Sequence, residues 1–170
     1  MNFEKYIRMI NDFPKKGIEY MDITTLLKEG DVFYKSVDAC IDLVKGLDYN
    51  KVVGPEARGF IMGTPFAYAT KTGFVPVRKP GKLPADTLSY TYDLEYGTDT
   101  LEIHKDAIRK GDKILIVDDL LATGGTVEAV INMIEKLGGE VVGLVFLIEL
   151  SFLNGRDKIK DYNVYSLIKK

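Results

Sequence analysis

The segment from Ile114 to Thr126 reads ILIVDDLLATGGT and carries the strongest pattern in the 170-residue chain. Its first four residues are aliphatic without interruption, which is typical of a parallel strand buried on both faces. Two adjacent carboxylates, Asp118 and Asp119, come directly after this run, and open α/β sheets bind ligands at the carboxyl ends of their strands. The segment therefore predicts a parallel sheet with a ligand site at the end of this strand.

The turn from Ala122 to Thr126 is suited to a phosphate. Its two glycines leave the backbone N–H groups unobstructed, and a helix that begins directly after them directs its N-terminal dipole towards an anion. Asp118 and Asp119 would repel the phosphate, but they can accept hydrogen bonds from a neighbouring diol and attract a metal ion. Alternatively, the acids only end a strand and a threonine only caps a helix. The order of strand, acid pair, turn and helix favours the functional interpretation.

The rest of the chain alternates strand and helix patterns. Short apolar runs predict strands at residues 52–53, 74–77, 114–117 and 141–148. Apolar residues at helical spacing predict helices at residues 32–44, 60–71 and 127–137, and residues 162–168 predict an edge strand. This alternation indicates an α/β fold with a mostly parallel sheet flanked by helices.

The composition is that of an ordinary globular domain, with 46% hydrophobic and 28% charged residues, and predicts one domain over residues 1–170. The formal net charge of −2 predicts no nucleic-acid partner, and the absence of a long apolar run predicts neither a membrane span nor a secretory signal. Cys40 falls on the apolar side of a predicted helix and is expected in the core. A single cysteine cannot form an intrachain disulfide, so we expect a cytoplasmic location.

Residues 79–103 form a longer connection than a compact domain usually contains. A strand-like alternation runs along it through Tyr90, Tyr92, Leu94, Tyr96, Leu101 and Ile103, with a turn pattern at Gly97-Thr98-Asp99. The charged, glycine-containing entry at residues 79–83 favours a protruding two-stranded lid over an ordinary edge hairpin.

Two further groups of residues predict anion binding. The loop from Gly54 to Gly59 follows a predicted strand and opens at the same edge of the sheet, with Arg58 as a bidentate donor. Arg78, Lys79 and Lys82 lie at the end of another strand and could neutralise a departing anion. The alternatives are a surface arginine after a turn and a solvated run of charges.

These motifs together resemble the type I phosphoribosyltransferase family, and more narrowly its adenine-specific branch. The resemblance runs from about residue 15 to about residue 155. Its motifs are Tyr20–Thr24 with Leu26-Leu27, Gly54–Phe60, Arg78-Lys79 with Gly81–Pro84, Leu94–Gly97 followed by Leu101–Ile103, and Val117–Thr126. It implies the type I phosphoribosyltransferase fold, with an N-terminal base-binding hood at residues 1–30, a flexible lid at residues 79–103, and a homodimer.

The same resemblance implies a reaction of purine salvage: adenine and 5-phosphoribosyl 1-pyrophosphate (PRPP) give AMP and pyrophosphate, with Mg²⁺. The 5′-phosphate would be held by Ala122, Thr123, Gly124, Gly125 and Thr126. Pyrophosphate would be held by Glu56, Ala57, Arg58, Arg78, Lys79 and Lys82, with a cis Glu56–Ala57 peptide. Adenine would be held by Glu19, Tyr20, Met21 and Leu120. The catalytic residues would be Arg58, Glu102 as the proton-transfer group, and Asp118 and Asp119, which hold the ribose hydroxyls and lie near the metal.

Two positions depart from the family pattern. Met21 stands where the family often has arginine, and Pro80 replaces a commonly basic residue, which is expected to affect substrate affinity more than the type of reaction. Two other functions stay open: transfer to another purine base such as xanthine or hypoxanthine, and a non-catalytic regulator that senses purine or PRPP. The hood and Glu102 would discriminate between the bases. A regulator would be expected to carry a basic recognition helix, which the residues before the sheet lack.

Overall fold

The computed structural model describes residues 1–93, without the side chain of Asp93, and residues 97–170. The chain divides into two compact units, Met1–Ala39 and Cys40–Lys170. Leu94 and Tyr96, part of the predicted lid, lie outside the described residues. The interpretation of residues 1–170 as one domain with a hood and a lid stays a prediction. No helix in the described parts of the chain is long and apolar enough to cross a membrane.

The first unit contains a short antiparallel pair of strands followed by helices. Its elements are a 3₁₀ turn at Phe3–Tyr6, β1 at Arg8–Ile10, β2 at Tyr20–Asp22, α1 at Thr24–Leu27 and most of α2, Gly30–Leu43. Hydrogen bonds from Thr24 and Arg8 lower the pKa of Asp22 to about 2, which keeps this carboxylate charged at the end of β2. Helix α2 confirms the helix that the apolar spacing predicted at residues 32–44.

Cys40 lies in the last part of α2 and is 1% exposed. Its burial raises the pKa of the thiol to about 12. A thiol that is both inaccessible and protonated is unreactive at neutral pH, so the prediction of a core role for Cys40 is confirmed.

The second unit is built on a parallel sheet. In chain order its elements are β3 (Lys51–Pro55), α3 (Arg58–Thr70), β4 (Gly73–Val77), β5 (Thr87–Asp93), β6 (Thr98–His104), β7 (Lys113–Leu121), α4 (Gly125–Lys136), β8 (Glu140–Glu149) and β9 (Val164–Lys169). Within the described residues, five of these strands form one sheet in the order β4-β3-β7-β8-β9, with every neighbouring pair parallel. The predicted α/β fold and the edge strand near the C-terminus are confirmed.

Strand β7 lies at the centre of the sheet, and Ile114–Val117 are at most 1% exposed. The strand does not end with this aliphatic run, as the sequence predicted, but continues to Leu121. The reason is its partner: β8 keeps pairing with β7 from Asp118, opposite Phe146, to Leu121, opposite Glu149. Asp118 and Asp119 are therefore held by the ladder of the sheet instead of by a loop after it.

Strands β5 and β6 form an antiparallel hairpin, as the alternation predicted, although Thr98 and Asp99 of the predicted turn belong to β6. The hairpin packs on α4: Tyr92, Leu101 and Ile103 share one apolar cluster with Val127 and other residues of that helix. A bridge between Arg78 and Glu102 joins β6 to the residue after β4. The contact with α4 brings the hairpin to the helix that starts at the predicted phosphate turn.

Candidate active site

A cavity of about 250 Å³ opens at the carboxyl ends of β3 and β7, and we call it the rim cavity. Its lining combines residues 55–58 with residues 118–127. The structure thus brings together most of the predicted site residues of the second unit, namely Glu56, Ala57, Arg58, Asp118, Asp119, Leu120, Ala122, Thr123, Gly124, Gly125 and Thr126. The predicted juxtaposition of the acid pair and the phosphate turn is confirmed.

The acid pair lacks a full set of hydrogen-bond donors. Asp119 is 3% exposed, and its Oδ2 lies 3.0 Å from Nε of Arg58, yet this oxygen receives no hydrogen bond from the described residues. Oδ1 of Asp118 accepts a bond of 2.8 Å from the Asp119 amide. The charge of Arg58 offsets part of the cost of burying this oxygen, but the missing hydrogen bond is not replaced, and a hydroxyl group or a cation of a ligand would supply the remaining compensation.

Burial also changes the protonation of this pair. It raises the pKa of Asp118 well above its ordinary value, and the neighbouring charge of Asp119 raises it further. Burial raises the pKa of Asp119 as well, against the opposing charge of Arg58. Two adjacent acids whose ionised forms are disfavoured are typical of a functional site, where a ligand supplies the missing compensation.

The cradle, by which we mean residues 122–126, owes its shape to glycine. Gly124 adopts a left-handed backbone with φ of +83°, which glycine reaches without steric cost, and α4 begins at the next residue. A 3₁₀ turn at Gly155–Ile159 lies against the cradle. A Cβ on Gly124 would stand 2.6 Å from the carbonyl oxygen of Gly155, and a Cβ on Gly155 would overlap the carbonyl oxygen of Ala122. The two segments thus touch backbone to backbone.

Gly155 lies against the cradle, a contact that the sequence analysis missed. The Asn-Gly pair at 154–155 is a turn signal, but nothing in it points to the cradle. The turn is fixed by Arg156, which makes two bonds of 2.6 and 2.8 Å to Glu149 at the end of β8. These bonds hold the pKa of Glu149 below its ordinary value. The sheet thus supports the cradle through this ion pair and the backbone of Gly155.

Of the remaining predicted pyrophosphate residues, Arg78 and Lys79 are paired with carboxylates. Arg78 Nε and the Lys79 amide both donate to Glu56 Oε2 at 3.0 Å, and the Lys79 ammonium pairs with Asp99. Lys82 is exposed and offers its carbonyl to Arg78. The predicted cis peptide between Glu56 and Ala57 is confirmed. Glu56 thus connects the loop after β3 to the start of the predicted lid.

Glu102 is placed at the base of the hairpin. Its carboxylate accepts a bond of 3.1 Å from the Gly81 amide and another of 3.1 Å from the Ser89 hydroxyl. It is not among the residues that line the rim cavity. Its role in proton transfer stays a prediction.

The predicted adenine residues divide between the two units. Leu120 lines the rim cavity in the second unit. Glu19, Tyr20 and Met21 belong to the first unit, where the Tyr20 ring packs edge-on against Phe13 at 5.0 Å and Met21 is 6% exposed. A contact of these three residues with a purine base stays a prediction.

Comparison with known proteins assigns the class that this geometry indicates. The family profile described as "Phosphoribosyl transferase domain" matches residues 33–170, and the chain belongs to this phosphoribosyltransferase family. Adenine phosphoribosyltransferase of Desulfitobacterium hafniense is 59% identical over 169 residues, which cover 99% of this chain and 98% of the relative. Within the family, the chain therefore falls among the adenine phosphoribosyltransferases, and the prediction of a glycosyl-transferring enzyme is confirmed.

Solved structures agree over the full length. The crystal structure of adenine phosphoribosyltransferase from Thermoanaerobacter pseudethanolicus has a TM-score of 0.97 and 54% identity, covering 99% of this chain and 98% of its own. The enzyme from Saccharomyces cerevisiae, solved with adenine, has a TM-score of 0.91 and 37% identity, covering 97% and 96%. These likenesses confirm the predicted type I phosphoribosyltransferase fold.

Proposed function

We propose that the rim cavity binds PRPP and transfers its phosphoribosyl group to adenine, giving AMP and pyrophosphate. The observation that carries the proposal is the buried Asp119 Oδ2 that lacks a hydrogen bond, next to a glycine cradle in the same cavity. A phosphorylated pentose meets both needs, because its hydroxyl groups can donate to the acids while its phosphate accepts from the cradle.

The cradle binds the 5′-phosphate through backbone N–H groups at the start of α4 and through the Thr126 hydroxyl. This phosphate takes no part in bond breaking. Its binding energy fixes the orientation of the ribose relative to the reacting base, which lowers the entropic part of the barrier.

The acid pair and Arg58 act on the charges that develop during the reaction. Displacement at the anomeric carbon builds positive charge on the ribose and negative charge on the leaving pyrophosphate. Asp118 and Asp119 accept hydrogen bonds from the ribose hydroxyls beside the positive charge. Arg58 and the loop after β3 line the same cavity, where the guanidinium can stabilise the negative charge on the pyrophosphate.

The donor set fits a magnesium ion that is bound largely through substrate. Two carboxylates line the rim cavity, but the described residues contain no cluster of three or more side chains that could hold a metal. Mg²⁺ typically takes one or two carboxylates and completes its octahedron with water and substrate phosphates, and Asp118 and Asp119 would serve in that way. When bound, the ion would neutralise charge on the pyrophosphate.

Steady-state assays with adenine, hypoxanthine, xanthine and guanine at a fixed PRPP concentration test the proposal. We expect pyrophosphate release with adenine to exceed that with each 6-oxo purine by at least about a hundredfold in kcat/KM, because exchanging a donor for an acceptor leaves a buried polar group unpaired. Equal or higher activity with a 6-oxo purine would assign the enzyme to another base. Tight PRPP binding without pyrophosphate release would indicate a sensor.

Glu102→Gln tests the role of this residue in proton transfer. If the carboxylate moves a proton to or from the base, kcat falls by about tenfold or more while the KM for PRPP changes little. Glu102→Asp is the companion variant, because it keeps an ionisable group. Unchanged turnover in Glu102→Gln, with a loss only of thermal stability, would restrict Glu102 to its bonds with Gly81 and Ser89.

We also propose that the enzyme is a homodimer in the cytoplasm. The resemblance to the family supports the dimer, and the single buried, unpaired cysteine is compatible with a reducing compartment. Light scattering of the purified chain would give the oligomeric state directly, and a monomer at assay concentration would contradict the dimer.

A further inference from the structure

A hydrogen-bonded path joins the hairpin to the cradle. The hydroxyl of Tyr92, on β5, lies 3.1 Å from Thr126 Oγ1 and 3.1 Å from Asp99 Oδ2. Asp99, on β6, also pairs with the Lys79 ammonium and accepts a bond of 2.9 Å from the Thr100 amide. Tyr92 is 9% exposed, so water has little access to its side chain. Thr126 is thus bonded to a buried group that the proposed reaction does not use.

The chemistry of these groups fixes the direction of each bond. Burial alone would raise the pKa of Asp99, but hydrogen bonds, first that from Lys79, outweigh it and lower the pKa. Asp99 is therefore a carboxylate and only accepts hydrogen bonds. Burial raises the pKa of Tyr92, so the phenol keeps its one proton and donates it to Asp99.

Thr126 must then be the donor in its bond with Tyr92. Its only hydroxyl proton points to the phenolic oxygen. Because Thr126 also lines the rim cavity, it can donate to a phosphate only after this proton turns away from Tyr92. A phosphate oxygen is charged and is a stronger acceptor than a phenol, so the exchange is favourable.

The same three groups can satisfy the reversed arrangement. When Thr126 donates to a phosphate, Tyr92 can rotate its proton from Asp99 to Thr126 Oγ1. This exchange gives up a charged acceptor for a neutral one, and it depends on the phosphate polarising the Thr126 hydroxyl and so making Oγ1 a better acceptor. Asp99 loses one donor but keeps Lys79 and the Thr100 amide. A donor that itself accepts a hydrogen bond is polarised by it, so Tyr92 would strengthen the bond from Thr126 to the phosphate.

We propose that Tyr92 is a positioning residue for the 5′-phosphate: its hydroxyl supports Thr126 Oγ1 as a donor and sets where that oxygen lies. The inference rests on the proposed binding of PRPP by the cradle. It assigns a binding role to the hairpin that is separate from covering the site. The competing explanation is structural, because the Tyr92 ring belongs to the apolar cluster between the hairpin and α4.

Tyr92→Phe separates the two explanations, since it keeps the ring and removes only the hydroxyl. We expect the KM for PRPP to rise about three- to tenfold, the fold-change of one lost hydrogen bond, with kcat and the KM for adenine within about twofold of the wild type. Tyr90→Phe is the matched control, because Tyr90 lies two residues away on β5 and its ring faces the Lys136 ammonium at 4.9 Å. We expect this control to leave all three constants unchanged.

A double-mutant cycle with Thr126 decides whether Tyr92 acts through that residue. In the Thr126→Val background, where the threonine hydroxyl is gone, Tyr92→Phe should cause no further rise in the KM for PRPP. In the Thr126→Ser background, which keeps a hydroxyl, the rise should persist. Full additivity of Tyr92→Phe and Thr126→Val would overturn the inference, as would an effect of Tyr92→Phe no larger than that of Tyr90→Phe.

The cycle also keeps this inference apart from the proposed function. Wild-type enzyme that releases no pyrophosphate with adenine contradicts the proposed reaction, and an unchanged KM for PRPP in Thr126→Val contradicts phosphate binding by the Thr126 hydroxyl. A raised KM in Thr126→Val together with an unchanged KM in Tyr92→Phe contradicts only the role of Tyr92. Thermal melts of each variant show whether a change in KM accompanies a change in folding.

Discussion

Asp118→Asn is expected to lose at least about a hundredfold in kcat and to unfold at the same temperature as the wild type or higher. The loss follows from the charge, because an amide can accept a hydrogen bond from the ribose but cannot stabilise the positive charge of the transition state. Pyrophosphate release at saturating substrates and calorimetry of the same samples measure the two effects together.

We expect Asp118→Asn to be at least as stable as the wild type because the pKa values of both acids are raised in the folded state. Between the ordinary value of 3.8 and the raised values, the folded state binds more protons than the unfolded state. The free energy of unfolding therefore falls as the pH rises through this range. The amide introduced by the substitution has no proton to lose, so urea unfolding between about pH 4 and about pH 7 should show a weaker decline than in the wild type.

Asp112→Asn is the matched control, because the same substitution there removes a carboxylate whose pKa is lowered in the folded state instead of raised. Hydrogen bonds, first that from Lys51 and then those from the Arg109 amide and Asn50, lower the pKa of Asp112 to about 2. Its contribution to stability is present above the unfolded pKa and is lost as the pH falls through about 2. Asp112→Asn should lower the melting temperature at neutral pH and keep kcat. If Asp118→Asn kept its turnover, or lost as much stability as Asp112→Asn, the acid pair would be structural.

The sequence predicts the sheet and most of the rim cavity because their signals are local. An aliphatic run buried on both faces, as in Ile114–Val117, identifies a central parallel strand by itself, and the apolar spacing in α4 identifies the helix. Parallel topology then requires the ends of β3 and β7 to meet at one edge, which brings Arg58 near the acids without any knowledge of their contact. The true end of β7 depends on pairing with β8, so the aliphatic run alone placed it too early.

The rest of the site depends on contacts between distant segments. Lys79 lies in a run of charges that predicts either an anion site or a solvated surface, and its partner, Asp99, is 20 residues away on β6. The bond between Tyr92 and Thr126 needs the hairpin to pack on α4, which no periodicity in either segment indicates. The contact of Gly155 with the cradle involves only backbone atoms, so no side-chain pattern can reveal it.

Gly155→Ala is expected to raise the KM for PRPP at least about tenfold and to lower the free energy of unfolding by about 1–3 kcal/mol. The added methyl group would overlap the carbonyl oxygen of Ala122, so either the cradle or the turn at Gly155–Ile159 must move. The backbone of Gly155 is not left-handed, so the effect would come from this collision instead of from strain in φ.

Gly73→Ala controls for the loss of a glycine in the same unit, because its Cβ would meet Lys51 Cγ at an ordinary contact distance of 3.5 Å. Gly73→Ala should leave the KM for PRPP unchanged and should change the free energy of unfolding by no more than about 0.5 kcal/mol. The KM for adenine should stay near the wild-type value in both variants, because the cradle is assigned to the phosphate and not to the base. A displaced cradle must bind the 5′-phosphate more weakly. A Gly155→Ala enzyme with a lower melting temperature but an unchanged KM for PRPP would therefore show that the turn at Gly155 contributes to folding and not to phosphate binding.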